Sequence, residues 1–575
     1  MQKDVQLRLP PWKAASDKSI RKALGISSSE PYLILKKSID ARRKDVMVDL
    51  ICRVNPTEAL FQPTALKEAQ PALGQVVIVG SGPAGLFAAL TLLEKGVKPI
   101  VLERGKDVHS RRKDIAKIST CGIVDSQSNY SFGEGGAGAF SDGKLFTRSK
   151  KRGENSKVLN LFVQYGADSS ILYEAHPHIG TDKLPKIVES MRNAILSHGG
   201  EVHFNMQVID LLVEPSRELG REQGDGSKSV TGCLAKNLET GELLSYQGPV
   251  ILAIGNAARD TFEMLLSHGV KLEAKDLAMG VRLEHPQHLI DCIQYHNPNG
   301  RGEFLPAAEY SFATQVPLSE IDFSLYESLY KPLYEALYKG QVPNGTGNAI
   351  SKAISSATSS AKKSVGVYSF CMCPGGFVVP AASDSQQVVV NGMSPSTRGS
   401  RWANSGMVVE FPTALLGSDA YVSAHPLCML DLQRQIEKAT FLAACGTQKA
   451  PAQRMTDFLQ GHLSTTLPAS SYAPGLTSAN LRAVLPPYAT TALASAFNTF
   501  SHAACGFLTS EALLIGSETR TSSPVRIPRH PDTLQSLSLE NLYPCGEGAG
   551  YAGGIVSAAI DGIRCAQRIL EQKDL

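Results

Sequence analysis

The sequence predicts an α/β fold: a parallel-sheet nucleotide-binding unit, interrupted by a large mixed insertion and preceded by a small α/β module. Three observations lead there. A hydrophobic run, Gln75–Val79, enters the turn Gly80-Ser-Gly82-Pro83-Ala84-Gly85 and an alanine-rich helix that ends near Gly96. A second run, Val97–Leu102, follows and closes on Glu103. Near the C-terminus the pattern returns as Leu542-Tyr-Pro, then Gly546-Glu547-Gly548, then a helix opening at Gly553-Gly554-Ile555.

Each residue of the first turn has a physical task. Gly80 allows the tight turn, Gly82 lets the backbone approach a pyrophosphate, and Gly85 lets the helix lie close on the sheet. The helix opens at Pro83-Ala84, so its N-terminal N–H groups and dipole face the anion. A bare GxGxxG is weak evidence, but here it sits between two strands and a helix. Glu103, with Arg104 beside it, stands where a carboxylate accepts both hydroxyls of an adenosine ribose. These features predict a bound dinucleotide.

The next segments decide which one. A helix is expected over Thr181–Ser197 and a strand over Glu201–Asn205, followed by three strands, Gln207–Val213, Val230–Asn237 and Glu242–Tyr246. The buried-strand pattern Pro249–Gly255 then returns to the sheet, so that Val208, Ala253 and Gly255 line the nucleotide. A meander that interrupts the parallel sheet is the order of glutathione-reductase-like FAD-binding Rossmann domains, not of simple nicotinamide dehydrogenases. FAD is long, and three glycine-rich segments suit it better than one. Between the first and last lies Phe132–Leu145, in which Gly135, Gly136 and Ala137, followed by Asp142 and Lys144, let backbone lie against a flat ring or a phosphate. In the last segment Glu547 is expected near the ribityl or pyrophosphate region. The N–H groups of Gly554 and Ile555 are expected near the flavin's pyrimidine carbonyl.

At 575 residues the chain is too long for one core. The expected layout is a small N-terminal module over 1–72, the first part of the FAD-binding domain over 73–260, an inserted α+β substrate or cap domain over 261–519, and a return to the FAD-binding domain over 520–575. The module reads as strands Val5–Leu9, Pro31–Lys37 and Val46–Val54 with a helix at Asp17–Leu24, then a Pro-rich linker over Asn55–Gly74. The insertion has no second fingerprint, and its glycine cluster Gly345-Thr-Gly347 follows no β run. NADH or NADPH is therefore expected only as a transient, weakly held electron donor. The uncharged stretch Ala483–Ser510 reads as buried helices and loops, not a bilayer span.

Composition is that of an ordinary globular protein, with 43% hydrophobic and 19% charged residues, and a net charge of +3 argues neither for nor against nucleic acid. The eleven cysteines lack paired CxxC spacing, which fits a reducing compartment and no metal. The N-terminus has no apolar leader, so a cytoplasmic location is expected. Two basic stretches, Lys36, Lys37, Arg42, Arg43 and Lys44, then Arg148, Lys150, Lys151 and Arg152, read as solvated edges, with an anion or RNA surface as the alternative. Cys371 and Cys373 read as buried small hydrophobes or, alternatively, as a redox pair or substrate-facing thiol. His176 and His178 lack a third metal ligand and suit a structural or flavin-edge role. His285 is a candidate acid or base, or a histidine capping a strand end.

Over nearly its whole length the chain resembles the FAD-dependent dehydrogenases also labelled NAD(FAD)-utilising dehydrogenases. The resemblance lies in Lys37–Lys44, Phe132–Leu145, Ala278–Pro286, Cys371–Gly376, Arg520–Arg526 and Tyr543–Gly554. It implies bound FAD, oxidoreductase activity and, in plant relatives, a plastid stroma location, but supplies no substrate. The chain departs from the family pattern at Asn256 and Ala257, where relatives resemble a His-Ser pair, while Arg259 and Asp260 remain. The expectation is an FAD-dependent oxidoreductase passing hydride to or from an unidentified small molecule, with no residue named as catalytic. A flavin-dependent RNA-modifying enzyme and a non-catalytic FAD-binding redox sensor or assembly factor are the alternatives.

Overall fold

The computed structural model describes residues 2–146, 155–215, 228–321, 364–416 and 419–574. The basic run Arg148–Arg152 and the cluster Gly345–Gly347 lie outside the described residues.

The strand Gln75–Val79 is central in a five-stranded sheet, ordered 542–544, 250–252, 75–79, 98–102, 201–203, and every pairing is parallel. Its central strands, 75–79, 98–102 and 250–252, are apolar runs buried along almost their whole length because both faces are covered. One cover is the helix Pro83–Glu94, buried from Ala84 to Leu93, since the helices Ile555–Gln572, Leu184–Ser197 and Asn155–Gln164 pack around it. Two glycines make this layering close. A Cβ on Gly85 would fall inside 3 Å of the Gly80 carbonyl oxygen, and one on Gly562 would lie 2.8 Å from the carbonyl carbon of Ala84.

The meander is present as the antiparallel strands Met206–Pro215, Lys228–Asn237 and Leu243–Gln247. Residues 277–518 contribute a seven-stranded sheet, ordered 313–317, 364–373, 402–411, 277–286, 513–518, 450–454, 476–478, antiparallel except for its last pairing. The helix Pro487–Ala503 covers one of its faces through Tyr488, Leu493, Phe497 and Phe500.

At the N-terminus, Lys3–Leu9, Met47–Val54 and Tyr32–Asp40 form a three-stranded sheet with the helix Asp17–Leu24. Residues 47–54 alternate half-buried and buried, as expected of a strand with one face on a core. The edge strand is tied to the rest of the chain: Lys37 N donates to Tyr173 O at 2.8 Å and Ala175 N to Lys37 O at 2.9 Å. Among the helices not expected from the sequence are Val108–Cys121, between the first and second glycine segments, and Asn155–Gln164, after the second.

Candidate functional site

Three glycine segments far apart in sequence meet at the C-terminal edge of the parallel sheet. A Cβ on Gly136 would lie 3.1 Å from the Gly82 Cα, and one on Gly138 would lie 3.2 Å from Ile555 Cγ1 and 3.5 Å from Pro83 Cγ. The middle loop thus lies across the starts of both helices. Gly546 continues the contact, since its Cβ would touch the Ala84 Cβ at 3.0 Å. Around this meeting point Gly82, Pro83, Gly136, Ala137, Gly553, Gly554 and Ile555 are partly or fully exposed amid buried neighbours, which marks a groove.

Both helices open onto that groove without a side-chain cap, at Gly82 and at Gly554. Their first-turn N–H groups therefore lack intrahelical partners and attract negative charge. A Cβ on Gly255, Gly553 or Gly554 would meet nothing within 4 Å, so backbone there faces open space. Two buried carboxylate oxygens, Glu134 Oε1 and Asp142 Oδ1, lack partners. This combination fits a long molecule with a pyrophosphate at its centre.

Glu103 is buried, and both its oxygens are taken by the chain. Oε2 accepts from Ser81 N at 2.9 Å and Ser81 Oγ at 2.8 Å, and Oε1 accepts from Gly105 N at 2.9 Å and Gly133 N at 3.0 Å. It therefore ties the first glycine turn to the middle loop, a task the sequence assignment to a ribose did not include. Arg104 lies over the Phe132 ring at 4.4 Å and pairs with Asp260 at 2.9 Å. Val208 is buried in the meander core, and the Ala253 carbonyl backs onto Gly80, whose φ of 103° suits glycine.

The middle loop is organised by Arg111, which the sequence did not flag. Its fully buried guanidinium donates to the carbonyls of Asn129 at 2.8 Å, Tyr130 at 2.9 Å, Gly133 at 3.1 Å and Glu134 at 2.7 Å. Burial pulls its pKa down to about 10. Gly133, with φ 118°, leaves the space that the Arg111 side chain fills. Backbone acceptors carry no sequence signature, so no residue pattern announces this contact.

Beyond the groove, a polar cluster joins the loop to the seven-stranded sheet. Asp142 Oδ2 accepts from Arg398 Nη2 at 3.0 Å and faces Lys144 Nζ at 3.8 Å. His176 pairs with Glu309, which raises the imidazole's pKa, while against the pull of burial the same pairing holds Glu309 at about 2. His178 Nε2 donates to Ser396 O at 3.2 Å, and burial, aided by Arg398, lowers its pKa, so the ring is neutral with Nδ1 as acceptor. Cys371 is exposed, yet the surrounding protein pushes its thiol up to about 12, and burial raises Cys373 as well. Neither is a thiolate near neutrality. Behind them the fully buried Arg282 donates to Glu518 at 3.1 and 3.2 Å, to Asn404 Oδ1 at 2.8 Å and to Cys371 O at 2.8 Å.

His285 does not reach this cluster. It is completely buried, its Nε2 donates to Phe507 O at 2.8 Å, and burial drops its pKa to about 4. The candidate acid or base of the sequence is thus a neutral core histidine. Glu547 accepts from Asn256 Nδ2 at 2.7 Å, joining the ends of two neighbouring parallel strands, and burial raises its carboxyl to about 7. Cys545, Asp561 and Cys565 place three buried ligand atoms within 4.8 Å of one another. The cation beside them is Arg529, which binds both Asp561 oxygens at 2.6 and 3.0 Å.

Residues 74–125 match an FAD binding domain, 276–325 with 335–521 match the FAD-dependent protein C-terminal domain, and 1–55 match a domain of unknown function. The mitochondrial NADPH:adrenodoxin oxidoreductase of Rattus norvegicus is 25% identical over 234 residues, 40% of each chain. The protein is an FAD-dependent enzyme of the oxidoreductase class. An uncharacterized protein of Clostridium beijerinckii is 37% identical over 581 residues, 97% of this chain and 96% of that one. The chain belongs to its family, the FAD-dependent proteins that carry this C-terminal domain. Among solved structures, the flavin-dependent brominase Bmp2 (12% identity, TM-score 0.34, 87% of this chain and 79% of that one) and a 3-ketosteroid delta1-dehydrogenase from Sterolibacterium denitrificans (12%, 0.30, 86% and 99%) are similar too distantly to carry any argument.

Proposed function

We propose that FAD lies along the groove of the three glycine segments and that the protein passes hydride between this flavin and a small molecule held against the polar cluster. The meeting of Gly82, Gly136, Gly138 and Ile555 at the sheet edge carries the reading, because it gathers two uncapped helix N-termini and open backbone at one place. The meander beside a parallel sheet supports a glutathione-reductase-like FAD domain, with 261–519 as an inserted domain. In this arrangement Gly80, Gly82, Pro83, Ala84 and Gly85 hold the pyrophosphate. Gly135, Gly136, Ala137, Asp142 and Lys144 lie against the ribityl chain and ring, and Gly546, Glu547, Gly548, Gly553, Gly554 and Ile555 complete the flavin end.

When bound, FAD supplies two-electron chemistry at its ring. The chain's residues bind, orient and manage protons. Lys144 and Arg398 put positive charge on the site's loop side and sheet side. His178, neutral and with a free Nδ1 acceptor, is the group suited to take a proton from a substrate hydroxyl or carbon acid. The thiols of Cys371 and Cys373 stay protonated and line the site.

In the basic N-terminal segment, Arg42 is paired with Asp40 at 2.8 Å and Lys37 faces Glu174 at 4.0 Å, which reduces the charge left for an RNA partner. Among the described residues no helix is long and apolar enough to cross a membrane. The test is to reduce the bound flavin anaerobically and screen small-molecule oxidants for those that reoxidise it. Turnover with one chemical class supports the reading. A flavin that no small molecule reoxidises defeats it.

A further inference from the structure

Arg520, in a segment that carries the family resemblance, and Arg259, retained where the chain departs from the family pattern, are not used by the groove. The structure brings their side chains together on one buried carboxylate. Glu437 Oε2 accepts from Arg259 Nη2 at 2.9 Å and Arg520 Nη2 at 3.2 Å, and Oε1 accepts from Arg520 Nε at 3.0 Å and Thr519 Oγ1 at 2.8 Å. Gln387, in the amide orientation that satisfies its neighbours, accepts from Arg259 Nη1 at 3.0 Å and donates to Glu437 Oε2 at 3.0 Å. Arg520 Nη1 also reaches Ser131 Oγ at 3.3 Å, one residue before the glycine loop begins, and Ala381 O at 3.4 Å.

The charge does not balance. Two guanidiniums share one carboxylate, and the other groups in contact are neutral. The Glu437 side chain is 0% exposed, Arg520 8% and Arg259 15%. Asp431 and Arg434, about two turns and one turn before Glu437 on the helix Cys428–Ala443, are opposite charges that offset each other, and Glu263, the other carboxylate that faces Asp431, is exposed to solvent. A buried positive charge without a partner is costly, and the least costly completion is a ligand anion. Burial and the neighbouring Arg520 and Arg434 pull the Arg259 pKa down to about 10, despite Glu437, the direction expected of a guanidinium short of negative charge. Arg259 is also the most exposed of the three, so it is the member a ligand reaches.

We propose that the Arg259–Glu437–Arg520 triad is an anion site that receives a carboxylate of the small-molecule substrate. An excess of one positive charge matches a monoanion, and a guanidinium edge matches the two oxygens of a carboxylate. A phosphate dianion overshoots that charge. Only the naming of the ligand as substrate rests on the oxidoreductase reading above; the anion site stands on the charges alone.

Calorimetric titration of the FAD-loaded protein with acetate, benzoate and inorganic phosphate at constant ionic strength tests it without turnover. The expected result is saturable carboxylate binding that weakens at least tenfold in Arg259→Gln with FAD content unchanged, is intermediate in Arg259→Lys and tightens in Glu437→Gln. Failure of both carboxylates to bind wild type, or equal binding by wild type and Arg259→Gln, overturns the site. Phosphate binding tighter than either carboxylate overturns the carboxylate assignment. Loss of FAD from both Arg259 variants assigns the triad to the cofactor instead and overturns the proposal. Because no outcome depends on catalysis, failure here is distinct from failure of the flavin reoxidation screen.

Discussion

Replacing Gly562 by alanine sets two effects of opposite sign against each other. Glycine inside a helix costs ~1 kcal/mol relative to alanine, so on propensity alone Gly562→Ala is stabilising. The packing says otherwise. The new Cβ would fall inside contact distance of the Ala84 carbonyl oxygen, 2.8 Å from its carbonyl carbon and 3.0 Å from its Cα. All three are backbone atoms of the helix Pro83–Glu94 and cannot rotate away. Restoring an ordinary contact of about 3.5 Å to that oxygen requires the two helices to part by roughly 1.5 Å. Overpacking of this kind costs about 1–3 kcal/mol, which equals or exceeds the propensity gain. The same displacement separates Ile555 from Gly138 and Gly546 from Ala84, the contacts that form the groove. Gly562→Ala is therefore expected to be neutral to destabilised by up to about 2 kcal/mol in urea and to bind FAD at least tenfold more weakly. Urea unfolding of the flavin-free protein and fluorescence titration with FAD measure the two effects separately. A variant more stable than wild type with unchanged FAD affinity would refute the helix crossing and the groove built on it.

Other consequences follow from the same contacts. Arg111→Met leaves four loop carbonyls without their donor, and since hydrogen bonds to charged groups contribute about 1.5–3 kcal/mol each, residues 129–138 should become a site of rapid limited proteolysis. Glu547 has a folded-state pKa of about 7 against the ordinary glutamate value of 4.5, so its contribution to stability is present below 4.5 and is lost as pH rises through 7. The difference in urea midpoint between wild type and Glu547→Gln, followed from pH 4 to 8 on flavin-free protein, should change over that window and be flat outside it. Flavin reduction by NADH or NADPH in rapid mixing should be slow and show no saturation at micromolar coenzyme. Fast saturating reduction would mean a dedicated coenzyme site exists.

The parts legible in the sequence were those whose cause is local. Gly80, Gly82 and Gly85 stand at fixed offsets for separate steric reasons, and alternating runs marked the meander and the strands of the N-terminal sheet. Much of the rest depends on partners distant in sequence. The strand Trp402–Phe411 is buried on both faces and so shows no alternation, and its neighbours in the sheet come from residues 277–286 and 364–373. The helix Val108–Cys121 was obscured by its charged run Arg111-Arg-Lys-Asp114, in which Arg111 and Asp114 are buried, counter to the usual reading of charge as surface. Glu103 looked available to a ribose because nothing in the sequence shows that Gly133 N comes to it. The triad at Glu437 was invisible because residues 259, 437 and 520 share no spacing.

The account stands most directly on FAD binding at Gly82. A Cβ there would meet only the Gly136 Cα, at 3.8 Å, so a side chain at this position intrudes on the groove and not on the protein. Titration of flavin-stripped wild type and Gly82→Val with FAD, each checked for an unchanged circular dichroism melt, decides the matter. The predicted result is one FAD per wild-type chain and an affinity at least ~100-fold lower in Gly82→Val, about 3 kcal/mol. Equal FAD affinity in the folded variant, or wild-type protein that binds FMN in preference to FAD, would contradict the account.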